Sequence, residues 1–230
     1  MSNVEVYVVV EGHTEQTFIR EVLAPHLAVR KVFLRAPLIG QSGHKGGNIR
    51  FDRAVRDIRN FLKCSKTRCV YVSTMFDYFR IEPDWPGRAD VSRRLAGGSK
   101  LSAVEKAAVM ESATLARMTE LVSHPQVDKR FIPYFSMHEF EALLFSDADT
   151  LARSIRVGVT RIQDVLAGHA SPEDINDDPD GAPSKRLLAL NPAYRKVAMG
   201  KTIAEAVGID QMRERCPHFD AWVGKLESLR

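Results

Sequence analysis

The spacing of apolar positions changes along this chain, and each change marks an element. Val4 to Val10 forms a β-branched run that stops at Glu11 and Gly12, the pattern of a buried strand. Phe18, Ile19, Val22, Leu23 and Leu27 then recur at helical spacing, so strand, tight turn and helix make the first unit. Residues 31–39 read as a second strand that runs into a mobile loop carrying Gly40, Gly43, Gly46 and Gly47. Asp52 is the expected N-cap of a helix that buries Val55, Ile58, Phe61 and Leu62. Residues 69–75 give a third strand, and it too stops near an acid, Asp77.

Between Arg80 and Gly98 the periodicity fails. Pro83, Asp84, Trp85, Pro86 and Gly87 stand together and Gly97-Gly98 follows, which reads as a loop or lid. A helix over 102–123 opens on Ser102 and Glu105, spaced for a capping box. Residues 131–137 form a fourth strand, and HEFEALLF at 138–145 continues as a helix start or a strand-to-helix corner. Strands alternating with amphipathic helices predict an α/β fold, a parallel sheet of about four strands flanked by helices. From Asp147 onward no segment reads as a strand, and 150–155, 160–166, 184–190, 194–207 and 219–229 read as helices. The expected organisation is an α/β domain over 1–147, with a loop and helix insertion near 80–123, and a helical extension over 148–230 packed on it. The Asp/Pro/Gly-rich stretch 171–183 interrupts that extension.

Composition narrows the class. Of 230 residues, 44% are apolar and 27% charged, and no run approaches the roughly 18 apolar residues of a membrane span. No basic segment leads into an apolar stretch at the N-terminus, so the expectation is a cytoplasmic protein with no membrane partner. Cys64, Cys69 and Cys216 make neither a CxxC pair nor a disulfide framework, and Cys216-Pro217-His218 lacks the second half of a zinc set. The net charge of +4 is a weak pointer to an anionic partner. Basic residues concentrate over 50–68 and again at Lys185, Arg186, Arg195, Lys196 and Lys201; solvated helix faces and anion contacts both fit these clusters.

The chemistry rests on acids at strand ends. Glu11 closes the first strand, Asp77 the third, and the fourth runs into Glu139 and Glu141. Parallel sheets gather ligands at the carboxyl ends of their strands, so these acids should meet on one edge. Clustered carboxylates repel and lose hydration unless a cation neutralises them, and Mg²⁺ or Mn²⁺ suits an all-oxygen set. Glu15, in the first helical turn, either joins them or simply complements the helix dipole. Glu139 and Glu141 share a face if extended and diverge if helical. His138 is a candidate metal ligand, proton carrier or structural histidine. Gly40, Gly43, His44, Lys45, Gly46 and Gly47 suit an anion-contacting loop or a plain surface loop. GxGxxG, GxxxxGK[ST] and GxSxG patterns are all absent, which argues against dinucleotide, P-loop and serine-hydrolase chemistry.

Glu11-Gly12-His13-Thr14-Glu15 after a strand, then a helix and a strand ending in an acidic turn, resembles the Toprim fold of topoisomerases, primases and OLD-family nucleases. The EGxTE form is most similar to the OLD-like branch. Over nearly the whole chain the sequence also resembles the domain-of-unknown-function 4276 family, through EGHTE, Thr74 to Tyr78, Asp84 to Gly87, HEFEALLFSD, Asn176-Asp177 and Ala182 to Arg186. The resemblance implies a divalent-metal site for phosphodiester cleavage in DNA or RNA, with phage defence as a setting. Glu11, Asp77, Glu139 and Glu141 would be its metal residues, and Glu15 and His138 would share in catalysis. Asp77 matches the first aspartate of a DxD element, but Phe79 stands at the second. That departure keeps open a non-catalytic binding module with a degenerate site. Lys185, Arg186, Lys196 and Lys201 are the candidate phosphate contacts, and Tyr78 and Trp85 fit core or loop packing first and base stacking second. OLD-like enzymes work with an ATPase, and the chain has no Walker motif, so a separately encoded ATPase is the implied partner.

Overall fold

A computed structural model describes residues 3–40, 49–63, 70–123, 126–175 and 181–229. Gly43, His44, Lys45, Gly46, Gly47, Cys64, Cys69, Asn176 and Asp177 lie outside the described residues. Strand β1 (Val4–Val10) leads through α1 (His13–Phe18), a π-turn over Ile19–Leu23 and α2 (Ala24–Ala28) to β2 (Val32–Arg35). Helix α3 (Phe51–Lys63) returns the chain to β3 (Val70–Asp77). Helices α4 (Arg88–Ala96), α5 (Ala103–Leu121) and α6 (Val127–Arg130) precede two short strands, β4 (Phe131–Ile132) and β5 (Phe135–Ser136). All pairings are parallel, in the order β2-β1-β3-β4, with β5 also on β3.

The central strands are apolar on both faces because both faces are covered. Val6, Val8 and Val10 of β1 belong to one apolar cluster, with Phe18, Leu23 and the C-terminal helices. Val9 belongs to a second, with Ile58, Phe76, Trp85 and Met110. This is the parallel α/β sheet that the alternating pattern predicted.

The remainder of the chain is helical among the described residues. A 3₁₀ turn (Phe140–Ser146) precedes α7 (Ala148–Ile155), α8 (Val159–Leu166), α9 (Pro183–Leu190), α10 (Lys196–Val207), α11 (Ile209–Arg215) and α12 (Pro217–Glu227). Trp222 of α12 fixes this layer to the sheet: it stacks on Tyr134 at 4.1 Å, and its Nε1 donates to Ser73 Oγ at 2.9 Å. Glu173 accepts hydrogen bonds from the backbone N–H groups of His218 and Phe219, satisfying the start of α12. His218 Nε2 meets Glu111 of α5 at 2.7 Å. Cys216 is buried beside Ser146.

Several expectations change. The fourth strand is broken at Pro133-Tyr134, where Thr74 Oγ1 substitutes for the ladder by accepting from Tyr134 N and donating to Tyr134 O, both at 2.9 Å. Helix α3 begins at Phe51, so Asp52 lies in its first turn and is not the N-cap. Phe61 is only partly buried and stacks on Tyr7. The expected lid contains α4, and Trp85 is 2% exposed with its Nε1 donating to Thr114 Oγ1. Tyr78 is buried under the Arg88 guanidinium. Neither ring is placed to stack on a base. The helix at Ile209–Arg215 had no strong apolar signal, since only Ile209 and Met212 are buried.

Candidate active site at the carboxyl edge of the sheet

Register explains why the acids meet. Val10 pairs with Met75, so Glu11 and Asp77 leave adjacent strands at nearly the same height. Asp77 pairs in turn with Ser136, which places His138 and Glu139 just beyond that level on the neighbouring segment. Glu139 is extended, with φ −143° and ψ 157°, and the 3₁₀ turn starts at the next residue. The combination aims Glu139 and Glu141 at the same cation. Lys196 Nζ stands 3.7 Å from Glu139 Oε1 and 3.3 Å from Glu141 Oε1.

Four of the acids also have a local anchor. Arg80 Nε donates to Glu11 Oε1 at 2.7 Å, while Glu11 Oε2 is buried with no hydrogen-bond partner. Glu15 Oε2 accepts the Gly12 N–H at 3.0 Å, which closes the start of α1. Asp77 Oδ1 accepts the Phe140 N–H at 3.1 Å, and Glu139 Oε2 accepts the Ser184 N–H at 2.9 Å. Glu15 therefore serves both of the roles considered for it: it caps a helix and belongs to the cluster.

Desolvation dominates the electrostatics. Burial, reinforced by Glu15, Glu11, Glu141 and Glu139, raises the Asp77 carboxyl well above its ordinary value. Burial, with Glu141 and Glu11 alongside, lifts Glu15 to about 7. Burial also raises Glu11 and Glu141, against the opposing pull of Arg80 and Lys196 respectively. Burial opposes the charge on Lys196, but Glu141, Glu139 and Asp77 outweigh it and hold the amine above its usual range. Five carboxylates thus share two close cations among the described residues, Arg80 and Lys196, and burial followed by mutual repulsion favours the protonated forms of Asp77 and Glu15.

Sequence reasoning missed two contributors. Arg80 directly follows the irregular turn after Asp77 and gave no signal beyond that proximity. Tyr194 is 5% exposed, its hydroxyl is buried without a hydrogen-bond partner, and burial followed by Glu141 and Glu139 raises its pKa. Gly200 leaves the space for that hydroxyl: a Cβ there would stand 3.2 Å from it. Lys196, expected as a phosphate contact, faces Glu139 and Glu141 in this structure.

The other expected residues are distributed differently. His138 is 1% exposed and stacks on Phe79 at 4.9 Å, lining a cavity of about 630 Å³ with Lys100, Lys106 and His169. Lys201 pairs with Glu21 and Glu205, and Arg186 Nε donates to the Gly181 carbonyl. Lys185 is exposed on α9, one residue after the Ser184 amide that binds Glu139. Among the described residues, no three His, Cys, Asp or Glu side chains already stand at the spacing of an assembled metal site. The donor set nevertheless suits a hard cation, since it consists of desolvated carboxylates and one buried oxygen, Glu11 Oε2, that lacks a partner.

Fold and site together define an α/β protein with a buried cluster of carboxyl groups at the carboxyl edge of its sheet. Residues 10–227 match the family described as Domain of unknown function (DUF4276), and the chain belongs to that family. No curated protein matches the chain. Among solved structures, the C-terminal region of the Xanthomonas campestris pv. campestris OLD protein is similar to it, at 16% identity over 99% of this chain and 95% of that one, with a TM-score of 0.42. No helix among the described residues is long and apolar enough to cross a membrane.

Proposed function

We propose that this protein is a metal-dependent nuclease, or a related phosphoryl-transfer enzyme, that acts on DNA or RNA, with phage defence as its setting. The observation that carries the reading is the convergence of Glu11, Glu15, Asp77, Glu139 and Glu141 on one sheet edge, where Arg80 and Lys196 are the cations paired with them among the described residues. A structural role does not require so many desolvated acids. The EGHTE motif supports the same reading through its Toprim-like, OLD-like form.

Glu11 and Asp77 would hold Mg²⁺ or Mn²⁺, with Glu139 and Glu141 reaching it on release from Lys196. When bound, the ion supplies charge neutralisation at the phosphoryl oxygens and lowers the pKa of water. Lys196 and Arg80 would then be free to donate to a phosphate oxygen as charge develops there. Glu15 accepts the Gly12 N–H at Oε2, which leaves Oε1 to carry a proton, and a carboxyl raised to about 7 would both hold and release one at neutral pH.

Phe79 at the second DxD position, and the Arg80 and Lys196 counterions already in place, favour one other reading, a nucleic-acid or protein-binding module with a degenerate site. A separately encoded ATPase partner belongs to the first reading. The test is incubation of plasmid, single-stranded DNA and RNA with Mg²⁺, Mn²⁺ or EDTA, beside Glu11→Gln. Metal-dependent cleavage lost in the variant is expected. Cleavage that persists in the variant would sink the assignment, and binding without cleavage would establish the module.

A further inference from the structure

Helix α3 carries a run of arginines that the acid cluster does not use. Ala54, Val55, Ile58 and Leu62 bury one stripe of α3. Arg53, Arg56 and Asn60, at i, i+3 and i+7, fall on the opposite stripe, where Arg56 and Asn60 are exposed and Arg53 is half-buried. Arg50 pairs with Asp52, and Arg59 donates to the Leu121 carbonyl. Arg53 and Arg56 make no ion pair or side-chain hydrogen bond among the described residues.

This face begins beside the candidate active site. Ile39 N donates to Val10 O at 2.9 Å, so residues 38–40 run alongside the strand end that delivers Glu11. The Arg53 side chain lies directly over Gly40, where a Cβ would stand 3.1 Å from Arg53 Cδ. On the other flank, Ile49 N donates to Arg80 O at 2.7 Å, tying the start of α3 to the residue whose guanidinium holds Glu11.

Two cavities flank the helix and share Arg56. One, of about 460 Å³, sets Arg50, Arg56 and Arg59 against Asp52, Glu82 and Asp84, so its charge is balanced. The other, of about 490 Å³, presents Arg53, Arg56 and Asn60 above Leu38 and Phe61. Its single acid, Asp57, already accepts the Gly40 N–H at 2.7 Å. Arg53 and Arg56 stand about one helical turn apart on long side chains that can each reach a phosphate of the same strand, and the apolar floor that Leu38 and Phe61 give the cavity suits an unstacked base. Paired bases would keep their faces inside a duplex, out of reach of that floor.

We propose that the outward face of α3, with the cavity floored by Leu38 and Phe61, binds a single nucleic-acid strand and leads it to the acid cluster. The inference deepens the nuclease reading and rests on it for the strand's destination. Binding itself is tested apart from cleavage, by fluorescence anisotropy in EDTA with labelled DNA and RNA single strands of about 20 nucleotides and the matching duplex. R53E/R56E should weaken single-strand binding by about tenfold or more and reduce the slope of log K against log salt by about 1.4, two phosphate contacts' worth. R161E/R215E, with the same charge change on exposed residues of α8 and α11, should bind as wild type. R53Q/R56Q replaces the glutamate pair if thermal melts show that pair unfolded. Equal losses in both pairs, no loss in the α3 pair, no wild-type binding of single strands, or a preference for duplex would each overturn the proposal. A wild type that cleaves nothing would end the nuclease reading and leave this result standing; an unaffected α3 pair beside Glu11-dependent cleavage would end the α3 proposal alone.

Discussion

Glu15 offers a quantitative handle on the carboxylate cluster, because it is buried yet titrates within the range where proteins can be handled. Its carboxyl moves from 4.5 to about 7 on folding, so the folded state keeps a proton that the unfolded chain releases. The sign follows directly: the associated stability is fully present below 4.5 and is lost as pH rises through about 7. At about 1.4 kcal/mol per pH unit, the rise is worth about 3 kcal/mol. Glu15→Gln keeps the shape and an oxygen for the Gly12 N–H but never ionises. In EDTA the variant should match wild type to within about 1 kcal/mol near pH 5 and be more stable by about 3 kcal/mol near pH 8. Urea unfolding followed by circular dichroism at a series of pH values measures the gap. Mn²⁺ should narrow it at the alkaline end, because a cation beside the cluster favours the ionised form of Glu15, a charge that the variant lacks. A gap that does not change with pH would refute the electrostatic picture of the site.

Lys196→Met removes the cation facing Glu139 and Glu141; because Lys196 is half-exposed, the loss discounts to about 1–2 kcal/mol near pH 8 and should shrink near pH 5, as the same urea series would show. Trp85→Ala should cost about 3–5 kcal/mol in that assay, since it empties a packed site between Phe51, Phe76 and Phe135; a loss below about 1 kcal/mol would return Trp85 to the surface. Gly87 has φ +88° and lies where a Cβ would stand 3.0 Å from Met110 Cα and Val109 O. Gly87→Ala should therefore cost on the order of 2 kcal/mol, and a neutral result would contradict the close approach of this turn to α5.

The strand-helix alternation was legible because the sheet is buried on both faces, which makes β1 and β3 rich in apolar residues on both sides of the strand, with Val8, Val9 and Val10 consecutive in β1. The meeting of Glu11 and Asp77 followed from that topology before any side chain was placed. Glu139 and Glu141 were ambiguous because the answer is neither strand nor α-helix: an extended residue followed by a 3₁₀ turn turns both toward Lys196. Lys196 and Arg80 were hidden because they are joined to the acids only by tertiary contact. Lys196 starts a helix whose Gly200 packs near Thr14, and nothing local to it signals the pairing. Helix α4 was missed because it buries one residue, Val91, and offers no periodic stripe. Trp85 left base stacking and packing both open in the sequence because its Pro/Gly-rich neighbours look like surface; Thr114 and three aromatic rings enclose it.

Anomalous diffraction from crystals soaked in Mn²⁺ tests the central claim most directly. The expected result is an ion bound jointly by Glu11 and Asp77, with the Arg80 contact to Glu11 released and Glu139 or Glu141 drawn away from Lys196. A soaked crystal with no anomalous peak at this edge, and with Arg80 and Lys196 still holding the acids, would contradict it.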